Sequence, residues 1–276
     1  MPGAEPALLP LAPGVFAWLQ LPGAHGQTNA GVVVEADGVT VLDTLMVERQ
    51  WAPFAEAVEA LERPVRRMVL SSSHVQFAGG TARFWQAACY GSDTASEQLD
   101  LAPNVAGYRL LMPEFADELA DDLRTRPVSH TVSVDAWLTP AIELLVRPGQ
   151  QRANVAVHVP GADVVFAGAL CSFGVTPLAF DGDPAAWAET VAELAGVAST
   201  IVPGHGPVGG PDDALALAAY LQACVDAAGD PGGIPPGPWD AWSRRDLDVV
   251  NVERAALLAR GEDRPPTSLL RMIGLA

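Results

Sequence analysis

The chain has 276 residues, 49% of them hydrophobic and 18% charged, which is enough apolar sequence for a sizeable core and too little charge for a disordered chain. Sixteen basic against 33 acidic side chains leave a formal charge of −17; a surface that acidic repels phosphate backbones and anionic lipid, so neither nucleic acid nor a membrane surface is an expected partner. Cys89, Cys171 and Cys224 lie far apart without a CxxC pair, which argues against a disulfide scaffold or zinc knuckle and for reduced thiols in a cytoplasm.

The N-terminal segment carries Pro2, Pro6, Pro10 and Pro13 and no basic n-region, so it does not read as a signal peptide. No apolar run reaches the roughly 18–20 residues of a membrane span. The absence of lysine, with abundant Ala, Gly, Pro, Val and Arg, suggests a GC-rich bacterial genome. Short strand-like runs come first, at residues 15–21, 30–35 and, after the Asp37-Gly38 turn, 39–42. Apolar residues at helical spacing (Trp51, Phe54, Val58, Leu61) predict a helix over 48–62. Residues 66–70 read as a buried strand running into Ser71-Ser72-Ser73-His74. Gly79-Gly80 then opens a helix to about residue 88, and a short strand ends at Gly91.

Residues 94–126 look helical and acidic, an insertion over one edge of the core. Strands follow near 132–134, 142–146, 153–159 and 164–167, then a helix at 184–194, a strand at 200–202 and a helix at 212–228. Residues 230–238 form a Pro/Gly-rich linker, and the tail from 239 to 276 holds one helix, about 250–260. Strands and helices interleave in both halves with no long linker between them. That pattern predicts one α/β domain over 1–276, with its core at about 13–228, as two sheets between helices.

Four loops that follow strands hold the chemistry-bearing residues: 70–80, 147–152, 166–171 and 202–207. Asp43-Thr44 at a strand end, its spacing to Leu70–Gly80, Phe166-Ala167-Gly168-Ala169-Leu170 and above all Pro203-Gly204-His205-Gly206-Pro207 resemble the ordered motifs of the metallo-β-lactamase superfamily. The resemblance spans roughly residues 13–255, including Asn29-Ala30-Gly31 and the tail Val250-Asn251-Val252-Glu253-Arg254. It implies an αββα sandwich and, by family habit, a homodimer. The family's His-x-His-x-Asp-His loop falls here on Ser72, His74, Gln76 and Phe77. Its next histidine falls on Gln150, its bridging aspartate on Ala169 and its last histidine on His205.

Only His74 and His205 of those seven positions keep a ligand-type side chain. Zinc or iron wants three or four deprotonated N, O or S donors at about 2.0–2.3 Å. Phe77 and Ala169 supply none, and serine and glutamine are weak neutral ligands, so no metal and no other cofactor is expected. The leading expectation is a metal-independent enzyme that acts on an organic small molecule by acid–base chemistry: a cyclisation, an elimination such as dehydration, or a hydrolysis. Likeness to hydrolase and polyketide-cyclase-like relatives implies specialised metabolism. His74 and His205 form the expected acid–base pair. Ser72, Gln76, Phe77, Gln150, Arg152, Ala169, Cys171 and His25 are expected around the substrate. Two alternatives stand beside this reading: an inactive homologue that binds a ligand or partner, and a mononuclear site through His25, His74 and His205. Asp43 is expected to orient the loop at 71–74, and Asn251, Glu253 and Arg254 to pack a tail helix against one side of the pocket.

Overall fold

Residues 6–276 are described by a computed structural model, with Met1–Glu5, and so Pro2, outside the described residues. One sheet holds seven strands in chain order: β1 (Leu8–Ala12), β2 (Val15–Trp18), β3 (Ala30–Glu35), β4 (Gly38–Leu42), β5 (Val65–Val69), β6 (Ala88–Ser92) and β7 (His130–Val132). The first four are antiparallel and the rest join in parallel. The second sheet holds β8 (Ala136–Thr139), β9 (Ile142–Arg147), β10 (Asn154–Val159), β11 (Val164–Ser172) and β12 (Thr200–His205), with only β11 and β12 parallel. Among the described residues the helices are α1 (Glu48–Glu59), α2 (Val75–Ala78), α3 (Asp93–Leu99), α4 (Val105–Leu111), α5 (Pro184–Leu194), α6 (Pro211–Asp226), α7 (Asp248–Ala259) and α8 (Thr267–Met272). None is long and apolar enough to cross a membrane.

The sequence of β11 explains the layering. All nine of its residues are buried, because side chains alternate between two covered faces. Val164 and Phe166 meet Val33, Leu42 and Val69 of the opposite sheet. Val165 and Ala167 meet Trp187, Val191, Leu217 and Leu221 of α5 and α6. On the far side Phe54 and Val58 of α1 cover Val39, Val41 and Met68. The order helix, sheet, sheet, helix is the expected αββα sandwich.

Local differences have local causes. Residues 8–12, ahead of the first expected strand, form the edge strand β1, where Pro10 sits opposite Phe16 and its missing N–H is harmless. β8, an edge strand of the second sheet, is half exposed, with Trp137 59% accessible, and so lacks an apolar run. Residues 79–88 make only a short 3-10 turn, Thr81–Phe84. Part of the linker, Pro231–Gly233, is likewise a turn of helix, and the tail gains the short α8. The insertion is α3 and α4 followed by turns. Its Val105, Met112, Phe115 and Leu119 pack on Met46, Val47 and Val75. It therefore covers the loops after β4 and β5, while α3 lies along the β6–β7 edge of the first sheet, where Ser96 and Asp93 bond Thr131 and Ser133.

Candidate active site

Asp43 ties three strand ends together. It leaves β4 in the left-handed region (φ 57°), and its Oδ1 and Oδ2 accept from Ser71 N (2.8 Å) and Ser71 Oγ (2.7 Å). Ser71 Oγ in turn accepts from Ala169 N of β11 (3.0 Å). Burial pushes the Asp43 carboxyl up to about 7, with the Ser71 hydrogen bonds opposing. Next in the chain, Thr44 N and Oγ1 both donate to Phe77 O (2.7 and 3.0 Å), which fixes the turn that carries His74, Gln76 and Phe77.

The loops converge on one cleft. His25, His74, Gln76, Phe77, Gln150, Ala169 and His205 all line it, roofed by Tyr108, Leu111 and Met112 of the insertion and by Phe180 of the loop before α5. It is narrow: its interior of about 30 Å³ compares with the roughly 10–15 Å³ that one water occupies.

His74 has both ring nitrogens engaged. Nε2 meets Asp181 Oδ2 at 3.2 Å and Nδ1 meets Gln150 Nε2 at 2.5 Å. Gln150 Oε1 accepts from Ser72 Oγ (3.0 Å) and Asn154 Nδ2 (3.3 Å), so its amide N–H points at His74. With the Gln150 amide N–H facing Nδ1, the ring meets Asp181 through Nε2 as donor. Phe180 stacks on the same ring, centroids 5.4 Å apart. Burial works against a charge on Asp181, yet the bonds and charges of His74, Gln151 and Arg254 outweigh it and hold the carboxyl below its usual range.

His205 is the opposite case. It is only 9% exposed, and its Nε2 is fully enclosed without a hydrogen-bond partner among the described residues. It sits between His25 (centroids 5.6 Å apart, 31° between planes) and the edge of Phe77 (5.7 Å, 83°). His25 spends Nε2 on Thr176 O at 3.1 Å. Burial drives both imidazoles down, His25 to about 4 against the Thr176 bond, and His205 to about 3 with His25 adding to the effect. Both rings are neutral at ordinary pH. The sequence reaches this geometry through Gly206 (φ +91°), where a Cβ would overlap the carbonyl oxygen of Phe173.

Three expected residues do not reach the cleft. Ser72 lies behind it, fully buried, bonded to Gln150 and Gln151. Arg152 points to solvent and pairs with Glu97 (2.6 Å, side chains 67% and 65% exposed), because the turn before β10 directs Gln150 and Gln151 inward instead. Cys171 faces the helices from β11, with burial raising its thiol far above the ordinary range.

Asp181, Gln151 and Tyr108 went unrecognised in the sequence. Gln151 Nε2 donates to Asp181 Oδ2 (3.0 Å) and Gln98 Oε1 (2.8 Å). Tyr108 Oη accepts from Val75 N (3.2 Å), and burial lifts its phenol to about 12. No motif marks these residues; the one available signal is the Phe180-Asp181-Gly182-Asp183 turn ahead of Pro184. Gly182 permits that turn, because a Cβ there would overlap the carbonyl oxygen of Gly149. The tail helix holds it in place. Arg254 Nε donates to Gly182 O (2.9 Å), and Asn251 accepts from Ala179 N (2.9 Å) while donating to Pro177 O (2.8 Å). Glu253 instead caps α8 through Thr267 N and Ser268 N (both 2.8 Å).

No protein-family model and no curated protein matches the chain. Solved structures do. The metallo-β-lactamase FIM-1 from Pseudomonas aeruginosa, in its mono-zinc form, aligns with 84% of this chain and 98% of its own at 20% identity and a TM-score of 0.62. A metallo-β-lactamase from Erythrobacter litoralis aligns over 79% and 98% at 23% identity, TM-score 0.56, and one from Hirschia baltica over 79% and 98% at 17%, TM-score 0.58. The chain has the metallo-β-lactamase fold.

The metal cluster that this fold implies does not fit the residues present. Among the described residues no three His, Cys, Asp or Glu side chains stand together as a metal site. The positions expected to match the family's ligands carry Ala169, Phe77, Gln76 and Gln150 around the cleft. His25, His74 and His205 do not stand together as such a group, and Asp181 and Gln150 engage both nitrogens of His74.

Proposed function

We propose that this metallo-β-lactamase-fold protein is an enzyme that acts on a small organic carbonyl compound by hydrogen bonding and proton transfer, with no metal cluster. One observation carries the reading: the buried, unpartnered Nε2 of His205 in a cleft at the strand ends. Buried polar groups rarely go unsatisfied, and each exception asks for a ligand or a role. A neutral imidazole held far from protonation is a good donor to oxygen that gains charge in a transition state. Cyclisation, elimination and hydrolysis all develop such charge at a carbonyl oxygen. His25 neighbours this donor. His74, oriented by Asp181, becomes a base once substrate displaces Gln150 from Nδ1. Three buried free cysteines support a reducing, cytoplasmic setting.

The test uses nitrocefin, p-nitrophenyl esters and aryl lactones as probes, in chelator, with folding monitored by circular dichroism. The reading expects turnover of at least one probe that falls 100-fold or more in His205→Ala; turnover unchanged in that variant contradicts it. A second reading, ligand binding without chemistry, draws support from the fully engaged ring of His74. It expects His205→Ala to change affinity alone.

A further inference from the structure

Beside the cleft lies a second cavity of about 290 Å³, between the insertion and the tail. His74, Tyr108, Leu111 and Phe180 line both spaces. The outer one adds Asp181 on one side and Leu269 and Ile273, from α8 and its end, on the other. Its size matches the lower end of small-ligand pockets.

We propose that this outer cavity recognises an organic ammonium ion on a compact apolar body. The acceptor is Asp181. Its Oδ2 takes both His74 Nε2 and Gln151 Nε2, while Oδ1 has no partner among the described residues and the side chain is 35% exposed. No Arg or Lys side chain lines the cavity, and its one imidazole, His74, is held on Asp181 Oδ2. The nearby guanidinium of Arg254 bonds Gly182 O, the main-chain carbonyl of Asp181 and Asp263 Oδ1 (2.8 Å), and makes no hydrogen bond to the Asp181 carboxylate. Tyr108 and Phe180 add π-faces that favour a cation, and Leu111, Leu269 and Ile273 bury its carbon body. At long range the −17 net charge draws cations in. An anion would meet the Asp181 carboxylate with no Arg or Lys in the cavity wall to bind it, and a neutral ligand would leave the charge on Oδ1 unmatched.

The site deepens the function proposed above and rests on it in one respect: the shared wall lets the far end of an amine bound here approach His205. Recognition itself can be tested apart from turnover. Calorimetric titration of the full chain with phenethylamine, 2-phenylethanol and phenylacetate should show the amine at least tenfold tighter than either analogue. Asp181→Asn should erase that preference, Ile273→Trp should weaken the amine by filling the cavity, and His205→Ala should leave the preference intact. Equal affinities, no binding of any probe at millimolar concentration, a preference that survives Asp181→Asn, or an amine affinity unmoved by Ile273→Trp would overturn the proposal. If the amine preference holds while no turnover depends on His205, only the catalytic reading falls.

Discussion

Mild acid acts on three buried groups here, and they do not pull the same way. His25 and His205 drop from 6.5 to about 4 and about 3 in the fold, so the folded chain refuses protons that the unfolded chain accepts below 6.5. Their stabilising contribution is complete above 6.5 and is lost as pH falls towards 3–4. At about 1.4 kcal/mol per unit, the full effects are on the order of 3 and 5 kcal/mol. Asp43 rises from 3.8 to about 7. The fold keeps its proton while the unfolded chain releases it, so its contribution is present in acid and lost as pH climbs from 3.8 through 7, on the order of 4 kcal/mol. Between about pH 5 and 6 unfolding takes up two protons at the histidines and releases one at Asp43. The net is one proton, a loss of about 1.4 kcal/mol per unit of acidification. Urea denaturation at closely spaced pH values measures the slope. His205→Gln should bring it near zero. His25→Gln with His205→Gln should invert it, so that acid stabilises, and Asp43→Asn should roughly double it. A slope that ignores both histidine substitutions would refute the reasoning, whatever the absolute stabilities.

Arg254→Ala should cost about 3 kcal/mol in denaturant unfolding, since it strands the carbonyls of Gly182 and Arg264 that the guanidinium now satisfies. Gly182→Ala should destabilise by about 1–3 kcal/mol through its overlap with Gly149 O, and weaken ligand binding by moving Asp181. Arg152→Ala should stay within about 0.5 kcal/mol of wild type and leave binding unchanged, because its pair with Glu97 is solvent-exposed. Native protein should resist iodoacetamide at Cys171 for as long as it stays folded, as mass spectrometry of the labelled chain would show.

The sequence spoke most clearly where one physical demand dominated. The doubly covered start of β11 was legible as the apolar run 164–167, although residues 168–171, expected in a loop, continue the strand; α5 was legible from its Pro184 start and apolar spacing. Edge strands β1 and β8 answer to no such demand and stayed hidden. At the site, Pro203-Gly204-His205-Gly206-Pro207 and Asp43 were legible through the family resemblance, and the structure supplies the reasons: a backbone path that needs Gly206 and a loop that Asp43 anchors. Arg152 and Gln151 are adjacent, and which of them turns inward is decided by Asn154, whose Oδ1 accepts from Gln151 N (2.8 Å), a contact no spacing rule contains. Asp181 reaches His74 only because Arg254 and Asn251, some 70 residues away in sequence, hold its loop. Side chains set by tertiary contacts of that length leave no local periodicity to read.

Metal content bears most directly on the claim that histidine hydrogen bonding has replaced the metal cluster in this fold. Protein produced with zinc, iron and manganese supplied, then desalted, can be assayed by inductively coupled plasma mass spectrometry alongside His205→Ala. The account expects far less than one equivalent of any metal in both proteins. One or two tightly held equivalents in the wild type, lost in His205→Ala, would contradict it.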